Sequence, residues 1–209
     1  VMLCVLLLTT MVGTTYLWLT GFYSFQESLR YVAFTTVSLG LATGYSTVDF
    51  GAWPLVLSLW LILLSNFLSN AGSTGGGIKT VRAIVLFKFS LREMTLLLHP
   101  NAVYRVKINS NPVPERMALT ILAFVFVYCM TIMVFTFIMM VTGLDFLTAL
   151  TAMVACITNT GTGLGNVGPS YSFGYFSDLQ KWLCLFVMLL GRLEIFTLLV
   201  LFTPAYWRK

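Results

Sequence analysis

Charged residues are scarce in this sequence. Only 9% of the 209 residues are Asp, Glu, Lys or Arg, whereas 58% are hydrophobic and the mean hydropathy is +0.91. A soluble domain of this size does not offer water so little polar surface. The composition therefore excludes a soluble domain and predicts an integral membrane protein.

Metal-ligating side chains are also sparse. The single histidine, His99, has no cysteine or acidic residue close enough in sequence to suggest a ligand set, so we expect it in a loop. No two of the four cysteines have the spacing of a metal knuckle or a redox pair. We therefore predict buried structural thiols at Cys4, Cys129, Cys156 and Cys184.

Two enzyme signatures are incomplete. The stretch GSTGGGIKT, residues 72–80, resembles a phosphate-binding loop, but Ile78 stands where that loop requires lysine. No G-x-S-x-G motif is present, and the one histidine lies far from the apolar segments where an intramembrane nucleophile would need a base. We therefore predict that the chain is not an enzyme.

Long apolar runs define the candidate membrane spans. Residues 1–22, 117–142 and about 180–203 approach or exceed the roughly 20 residues that a helix needs to cross a bilayer, and no long alternating run suggests barrel strands. The sequence predicts an all-α membrane fold. Val1 begins inside an apolar run without a basic leader, so we expect a fragment.

Shorter segments between the spans follow a repeated order. A helix predicted at 27–41 is too short to cross the membrane and is followed by ATGYST, while a second helix at 54–68 is cut short by the glycine-rich stretch at 69–78. A shift of 117 residues lays Thr43 on Thr160 and Gly44 on Gly161. We infer two tandem span, short-helix and span units.

The unit boundaries follow from this repeat. The first unit covers residues 1–98 and the second covers 117–209. Residues 99–116, rich in proline and asparagine, form a linker. Basic residues cluster from Lys79 to Arg116 and recur at Arg208 and Lys209, so the positive-inside rule places the linker and the C-terminus in the cytoplasm.

The two glycine loops are the candidate ion-binding elements. Extended backbone at membrane depth is tolerated only where it is buried in protein or lines water, and inward-pointing carbonyl groups can replace the hydration shell of a cation. A lone glycine that merely ends a helix is the alternative for either loop alone. We place filter carbonyls at Ala42, Thr43, Gly44, Tyr45, Asn159, Thr160, Gly161 and Thr162, with the ion at Thr43, Gly44, Thr160 and Gly161.

Longer motifs resemble a known family. FTTVSLGLATGYSTVDFGAWP, NAGSTGGGIKTVR, HPNAV, GTGLGNVGP and MLLGRLEIFTLLVLFTPAYWR are similar to the last two of four pore units in the membrane subunits of bacterial Trk systems, of the Trk/Ktr/HKT superfamily. The resemblance covers essentially the whole chain. It implies half of a pseudo-fourfold ring around a potassium pore, with filter glycines at Gly44 and Gly161.

The same resemblance implies a gate in the glycine block. The family's intramembrane gate maps onto Gly72, Ser73, Thr74, Gly75, Gly76 and Gly77, and its arginine maps onto Arg192, which would donate to the block's carbonyls. Arg192 and Glu194 are about 200° apart on one continuous helix, so we expect Glu194 to face a neighbouring helix or a basic residue such as Lys79. A rigid glycine kink and a purely structural ion network remain alternatives.

Further expectations rest on the resemblance alone. It implies potassium uptake across a bacterial inner membrane, a homodimer, and regulation by a TrkA-like cytosolic nucleotide-binding ring; we expect no cofactor and no nucleic-acid partner. The basic segment from Lys79 to Arg116 could dock that ring or anchor to lipid. The alternative function is a self-assembling cation channel subunit with two pore units per chain.

Overall fold

The computed structural model describes residues 2–69, 75–99, 106–108 and 111–207. Nine α-helices lie in these ranges: α1 Met2–Leu19, α2 Phe25–Gly40, α3 Leu55–Phe67, α4 Thr80–Leu98, α5 Glu115–Val141, α6 Phe146–Thr158, α7 Asp178–Arg192, α8 Ile195–Leu201 and α9 Pro204–Trp207. Strands β1 Lys107–Ile108 and β2 Asn111–Pro112 pair as an antiparallel hairpin. The predicted helical fold is confirmed, while much of the predicted linker and the terminal basic pair lie outside the described residues.

Two described helices are long and apolar enough to cross a membrane. These are α1, with 18 residues, and α5, with 27. Helices α7 and α8 together would make a third span, but they meet at an angle of 110°. The span predicted at 180–203 therefore bends, because Glu194 has a φ of 57° that no α-helix accommodates. The helical-wheel comparison of Arg192 with Glu194 assumed a continuous helix and does not hold.

The short helices α2 and α6 begin at side-chain caps. Ser24 and Glu27 form a reciprocal capping box at the start of α2, with the Ser24 amide donating to Glu27 Oε2 at 3.1 Å. Asp145 caps α6 by accepting from the Thr148 amide at 3.1 Å. These caps fix where each short helix starts, so α2 begins two residues before the predicted position.

Each half of the chain forms its own helical layer. In the first half α1 packs on α2 and α2 on α3; in the second half α5 packs on α6 and α6 on α7. Gly13 allows close packing of α1 on α2, since an added Cβ would lie 2.9 Å from Val32 Cγ1. Contacts between α3 and α6 join the halves, so the loops after α2 and α6 lie near this junction.

Helix α4 packs mainly against α5. Val85 is the one buried residue among those of this described helix. Arg92 donates to Glu115 at the start of α5, and Lys88 donates to the Lys107 carbonyl of the hairpin at 2.8 Å. Polar contacts of this kind connect α4 to α5 and to the hairpin.

The cysteines divide between two environments. Cys156 and Cys184 are buried in the core of the second half, as predicted. Cys4 and Cys129 are exposed, so the prediction of buried thiols is wrong for both. Their faces of α1 and α5 turn away from the packed interior, and an apolar membrane segment does not distinguish that outward face from the core by composition.

Candidate functional site

The two glycine loops have the same backbone shape. Ala42 and Asn159 have φ angles of 54° and 59°, and Gly44 and Gly161 have φ angles of 76° and 85°. Both pairs are related by the shift of 117 residues that the sequence repeat predicts. Left-handed backbone is costly for residues with a Cβ, so its recurrence in both loops indicates a required conformation.

Backbone hydrogen bonds repeat with the same offset. The Thr43 amide donates to the Ser38 carbonyl at 2.9 Å, and the Thr160 amide donates to the Ala155 carbonyl at 3.0 Å. Each bond ties the loop back to the last turn of its short helix. The two loops are therefore anchored in equivalent ways to α2 and α6.

The two loops come together at Gly44 and Thr160. A Cβ added to Gly44 would collide with the carbonyl oxygen of Thr160, so only glycine permits this approach. The Thr160 hydroxyl contacts the Thr158 hydroxyl at 2.9 Å. The structure thus brings two of the four predicted ion-site residues into direct contact.

The outer predicted filter residues differ in their surroundings. Tyr45 is 74% exposed. The Thr162 hydroxyl is screened from solvent and has no hydrogen-bond partner among the described residues. Gly161 is exposed at the open edge of the second loop.

The glycine block contacts the end of α6. Gly72, Ser73 and Thr74 lie outside the described residues, so only the second half of the predicted gate is described. The Gly76 amide donates to the Thr158 carbonyl at 3.1 Å, and a Cβ at Gly76 would collide with the Ile157 carbonyl. The block therefore lies directly against the helix that carries the second glycine loop.

A second glycine packs against the same Ile157 carbonyl group. A Cβ added to Gly191 of α7 would also collide with the Ile157 carbonyl oxygen. Gly76 and Gly191 together leave no room for a side chain around the last turn of α6. Gly191 was not predicted from the sequence, although a glycine within an apolar helix is a signal of close packing.

Hydrogen bonds connect the end of α3 to the start of α4 across the break between them. The Ile78 amide donates to the Asn66 carbonyl at 2.8 Å, and the Thr80 amide donates to the Ser69 carbonyl at 2.9 Å. The Tyr128 hydroxyl of α5 donates to the side-chain oxygen of Asn66. Asn66 and Tyr128 were not predicted from the sequence either, although a polar group inside an apolar helix was a signal for both.

Arg192 is the last residue of α7 and lies near the block. It lines a cavity of about 190 Å³ together with Gly75, Gly76 and Gly77. This position agrees with the predicted proximity of Arg192 to the block. The predicted bonds from its guanidinium to the block's carbonyls stay a prediction.

Glu194 forms the charged centre of the second break. Its carboxylate accepts from Lys79 Nζ at 2.8 Å and from Arg82 Nη2 at 2.9 Å. The predicted pairing with Lys79 is confirmed, whereas Arg82 was not foreseen. The Arg82 guanidinium also lies 4.3 Å from the ring centre of Phe124, which adds a cation–π contact.

These features define a mostly helical membrane protein in which two similar halves bring glycine loops together. The chain belongs to the TrkH family of cation transport proteins, whose pattern matches residues 5–209. Membership in a family of transport proteins agrees with the prediction that the chain is not an enzyme.

Individual relatives agree with this membership. A Trk system potassium uptake protein TrkH from Halomonas elongata is 40% identical over 92% of this chain, and the TrkH of Escherichia coli strain K12 is 39% identical over 94%. Each alignment covers 40% of the relative. The chain therefore spans about two fifths of the length of these curated relatives.

A solved structure has the same fold. The crystal structure of the potassium transporter TrkH from Vibrio parahaemolyticus superposes with a TM-score of 0.91 at 36% sequence identity. The match covers 99% of this chain and 44% of that chain. The membrane-embedded helical fold predicted from composition is therefore confirmed.

Proposed function

We propose that this chain forms part of a potassium uptake pathway in a membrane. The observation that carries the proposal is the contact of Gly44 with the Thr160 carbonyl, where two loops of matching left-handed backbone meet. The similar proteins from Halomonas elongata and Escherichia coli are named potassium uptake proteins. Family membership and loop geometry thus point to the same activity.

The glycine loops act as a selectivity filter. Carbonyl oxygens replace the hydration shell of potassium, and left-handed glycine allows the backbone to turn these oxygens inward. The filter residues are Ala42, Thr43, Gly44, Tyr45, Asn159, Thr160, Gly161 and Thr162, and potassium binds at Thr43, Gly44, Thr160 and Gly161. Helices α2 and α6 are then the pore helices of units 1–98 and 117–209.

Two units do not surround an ion by themselves. Gly161 is exposed at the edge of the second loop, which leaves that side of the filter open to further units. The four-unit ring is completed within one longer polypeptide, as the length of the relatives favours. In the second candidate function, two chains of this kind assemble a cation channel; the exposed edge at Gly161 is compatible with that arrangement as well.

The glycine block and Arg192 form the gate. Glycine backbone has many accessible conformations, and the block borders a cavity of about 190 Å³ in which it can move. Arg192 lines this cavity and steadies the closed position. Uptake takes place across a bacterial inner membrane with the C-terminus in the cytoplasm, in a homodimer regulated by a TrkA-like nucleotide-binding ring.

Rubidium uptake tests this function. The protein is expressed from its natural gene in a strain lacking potassium transporters, alongside Gly161→Ser and Arg192→Ala. We expect uptake that potassium competes, a loss of selectivity in Gly161→Ser, and unregulated uptake in Arg192→Ala. Absence of uptake by protein present in the membrane would contradict the transport proposal, and assembly from two short chains would favour the second candidate.

A further inference from the structure

Ser38, in the last turn of α2, is bonded to the first glycine loop at two points. Its hydroxyl donates to the Tyr45 carbonyl at 2.5 Å and contacts the Thr43 hydroxyl at 3.1 Å. Ser38 is only 5% exposed. A buried hydroxyl is thus connected to both sides of Gly44.

The hydrogen-bonding groups around Ser38 leave one acceptor for its hydroxyl proton. The Thr43 amide and the Thr43 hydroxyl both donate to the Ser38 carbonyl, at 2.9 and 3.0 Å, while the two hydroxyl oxygens lie 3.1 Å apart. The Ser38 hydroxyl proton is then left for the Tyr45 carbonyl, which receives a bond from no other described donor. Hydrogen bonds therefore connect Thr43 through Ser38 to Tyr45, the residues on either side of Gly44.

The second loop lacks this connection. The offset of 117 residues places Ala155 at the position of Ser38 and Thr162 at that of Tyr45. Ala155 has a methyl group where Ser38 has a hydroxyl, so it offers Thr162 no donor. The two loops share backbone shape and amide bonds, and Thr158 contacts Thr160 in the second loop. Among the described residues, however, only the first loop has a pore-helix side chain bonded to the residue that follows its filter glycine.

We propose that Ser38 is a positioning residue for the first glycine loop and contributes to the discrimination between potassium and sodium. The proposal rests on the filter function proposed above. A carbonyl oxygen has two lone pairs, so this bond holds the Tyr45 carbonyl through one of them and restrains the segment from Thr43 to Tyr45 around Gly44. Small displacements of carbonyl oxygens alter how well they replace the hydration shells of ions of different size.

Ser38→Ala tests the proposal, with Ser28→Ala as its matched control. Ser28 lies in the same helix and is fully buried, but its hydroxyl has no hydrogen-bond partner among the described residues. Rubidium uptake by the complete protein is measured against competing potassium and sodium. We expect Ser38→Ala to lower the ratio of potassium to sodium competition by about threefold to tenfold, as the loss of one hydrogen bond predicts, and Ser28→Ala to keep the parental ratio.

The outcomes separate this proposal from the filter function. A parent protein that takes up no rubidium contradicts the function itself, whereas equal ratios in Ser38→Ala, Ser28→Ala and an active parent overturn only the role of Ser38. Ser38→Thr retains the hydroxyl and is measured if Ser38→Ala does not reach the membrane. A parental ratio is expected in Ser38→Thr, and a ratio lowered threefold or more at normal membrane levels would overturn the proposal.

Discussion

In each half of the chain, the helix that follows the glycine loop is interrupted, and the two breaks are built differently. The first break, residues 68–79, is long and glycine-rich, and the second is the short turn at Leu193 and Glu194. Both resume the helix after a residue with positive φ, 64° at Lys79 and 57° at Glu194. These two residues form an ion pair of 2.8 Å, so the residues that directly precede the two resumed helices are bonded to each other.

We expect the two breaks to have different roles: movement at the first, and support of the end of α6 at the second. The first break supplies Gly76, whose amide bonds the Thr158 carbonyl, and the second lies beside Gly191, which packs on the Ile157 carbonyl. Both therefore hold the end of α6 just before its glycine loop. We expect Gly76, in the long glycine-rich segment, to leave this contact more readily than Gly191, which would have to move together with α7.

The largest effect is expected for Gly44→Ala. The added Cβ would collide with the Thr160 carbonyl, and the φ of 76° adds about 1–2 kcal/mol of backbone strain. Rubidium uptake should fall more than tenfold, since a factor of ten corresponds to only about 1.4 kcal/mol. Gly21→Ala is the control, because Gly21 has a φ of 73° with nothing within 4 Å of an added Cβ. Equal losses in the two variants would show that strain, rather than contact between the halves, limits uptake.

Gly191→Ala should have the next largest effect. Alanine normally stabilises a helix relative to glycine by about 1 kcal/mol, but here the Cβ would collide with the Ile157 carbonyl. We expect the melting temperature of the detergent-purified protein to fall by several degrees, as about 1–3 kcal/mol of overpacking predicts.

Gly76→Ala places a Cβ against the same Ile157 carbonyl, but from the glycine-rich break. If this break is the gate proposed above, it moves away from the clash, so we expect a smaller loss of melting temperature and a larger change in the rate of uptake. A larger thermal loss in Gly76→Ala than in Gly191→Ala would contradict the assignment of support to the second break.

The glycine loops were predictable because their constraints are local. A shift of 117 residues in the sequence already paired Gly44 with Gly161, and the φ angles repeat that pairing. A glycine after a short helix indicates that the backbone needs a positive φ there, and this can be recognised from the sequence alone. The contact of Gly44 with Thr160 depends on how the two halves pack together, which they do through α3 and α6. It could not be derived from either loop alone.

The second break was missed because its cause is tertiary. Residues 178–201 are apolar enough for one span, and GRLE contains no proline. The bend of 110° places Glu194 between Lys79 and Arg82, which come from the other half. Charged residues inside an apolar segment did signal a partner, but the resulting change of helix direction depended on where that partner lies.

Glu194→Gln tests the ionic link between the breaks and should have a moderate effect. It removes the charge that pairs with Lys79 and Arg82, while the partly exposed carboxylate limits the loss to about 1 kcal/mol. We expect a small fall in melting temperature that is absent in Glu93→Gln, whose carboxylate lies 3.6 Å from Arg92 at an exposed site. A double variant with Lys79→Met should lose less than the sum of the single losses, and strict additivity would argue against a coupled pair.

The smallest effect concerns the caps of the short helices, which also differ between the halves. Hydrogen bonding from the Thr148 side chain, aided by the Thr148 amide, lowers the pKa of Asp145 below its ordinary value. A lowered pKa in the folded protein contributes stability above the unfolded pKa, near 3.9, and that contribution is lost as the pH falls toward the folded value.

Asp145→Asn isolates this contribution, because asparagine retains a capping oxygen but does not titrate. We expect Asp145→Asn to keep most of the melting temperature at pH 7 and to reduce its decline between about pH 4 and pH 3. Asp145→Ala should lose about 1 kcal/mol at pH 7, since it removes the cap itself. Part of the acid-dependent decline should persist in both variants, because hydrogen bonds from the Ser24 side chain and amide lower the pKa of Glu27 at the equivalent cap of α2. If neither variant changed the slope below pH 4, Asp145 would not contribute to the acid sensitivity, and the remaining decline would belong to the first half.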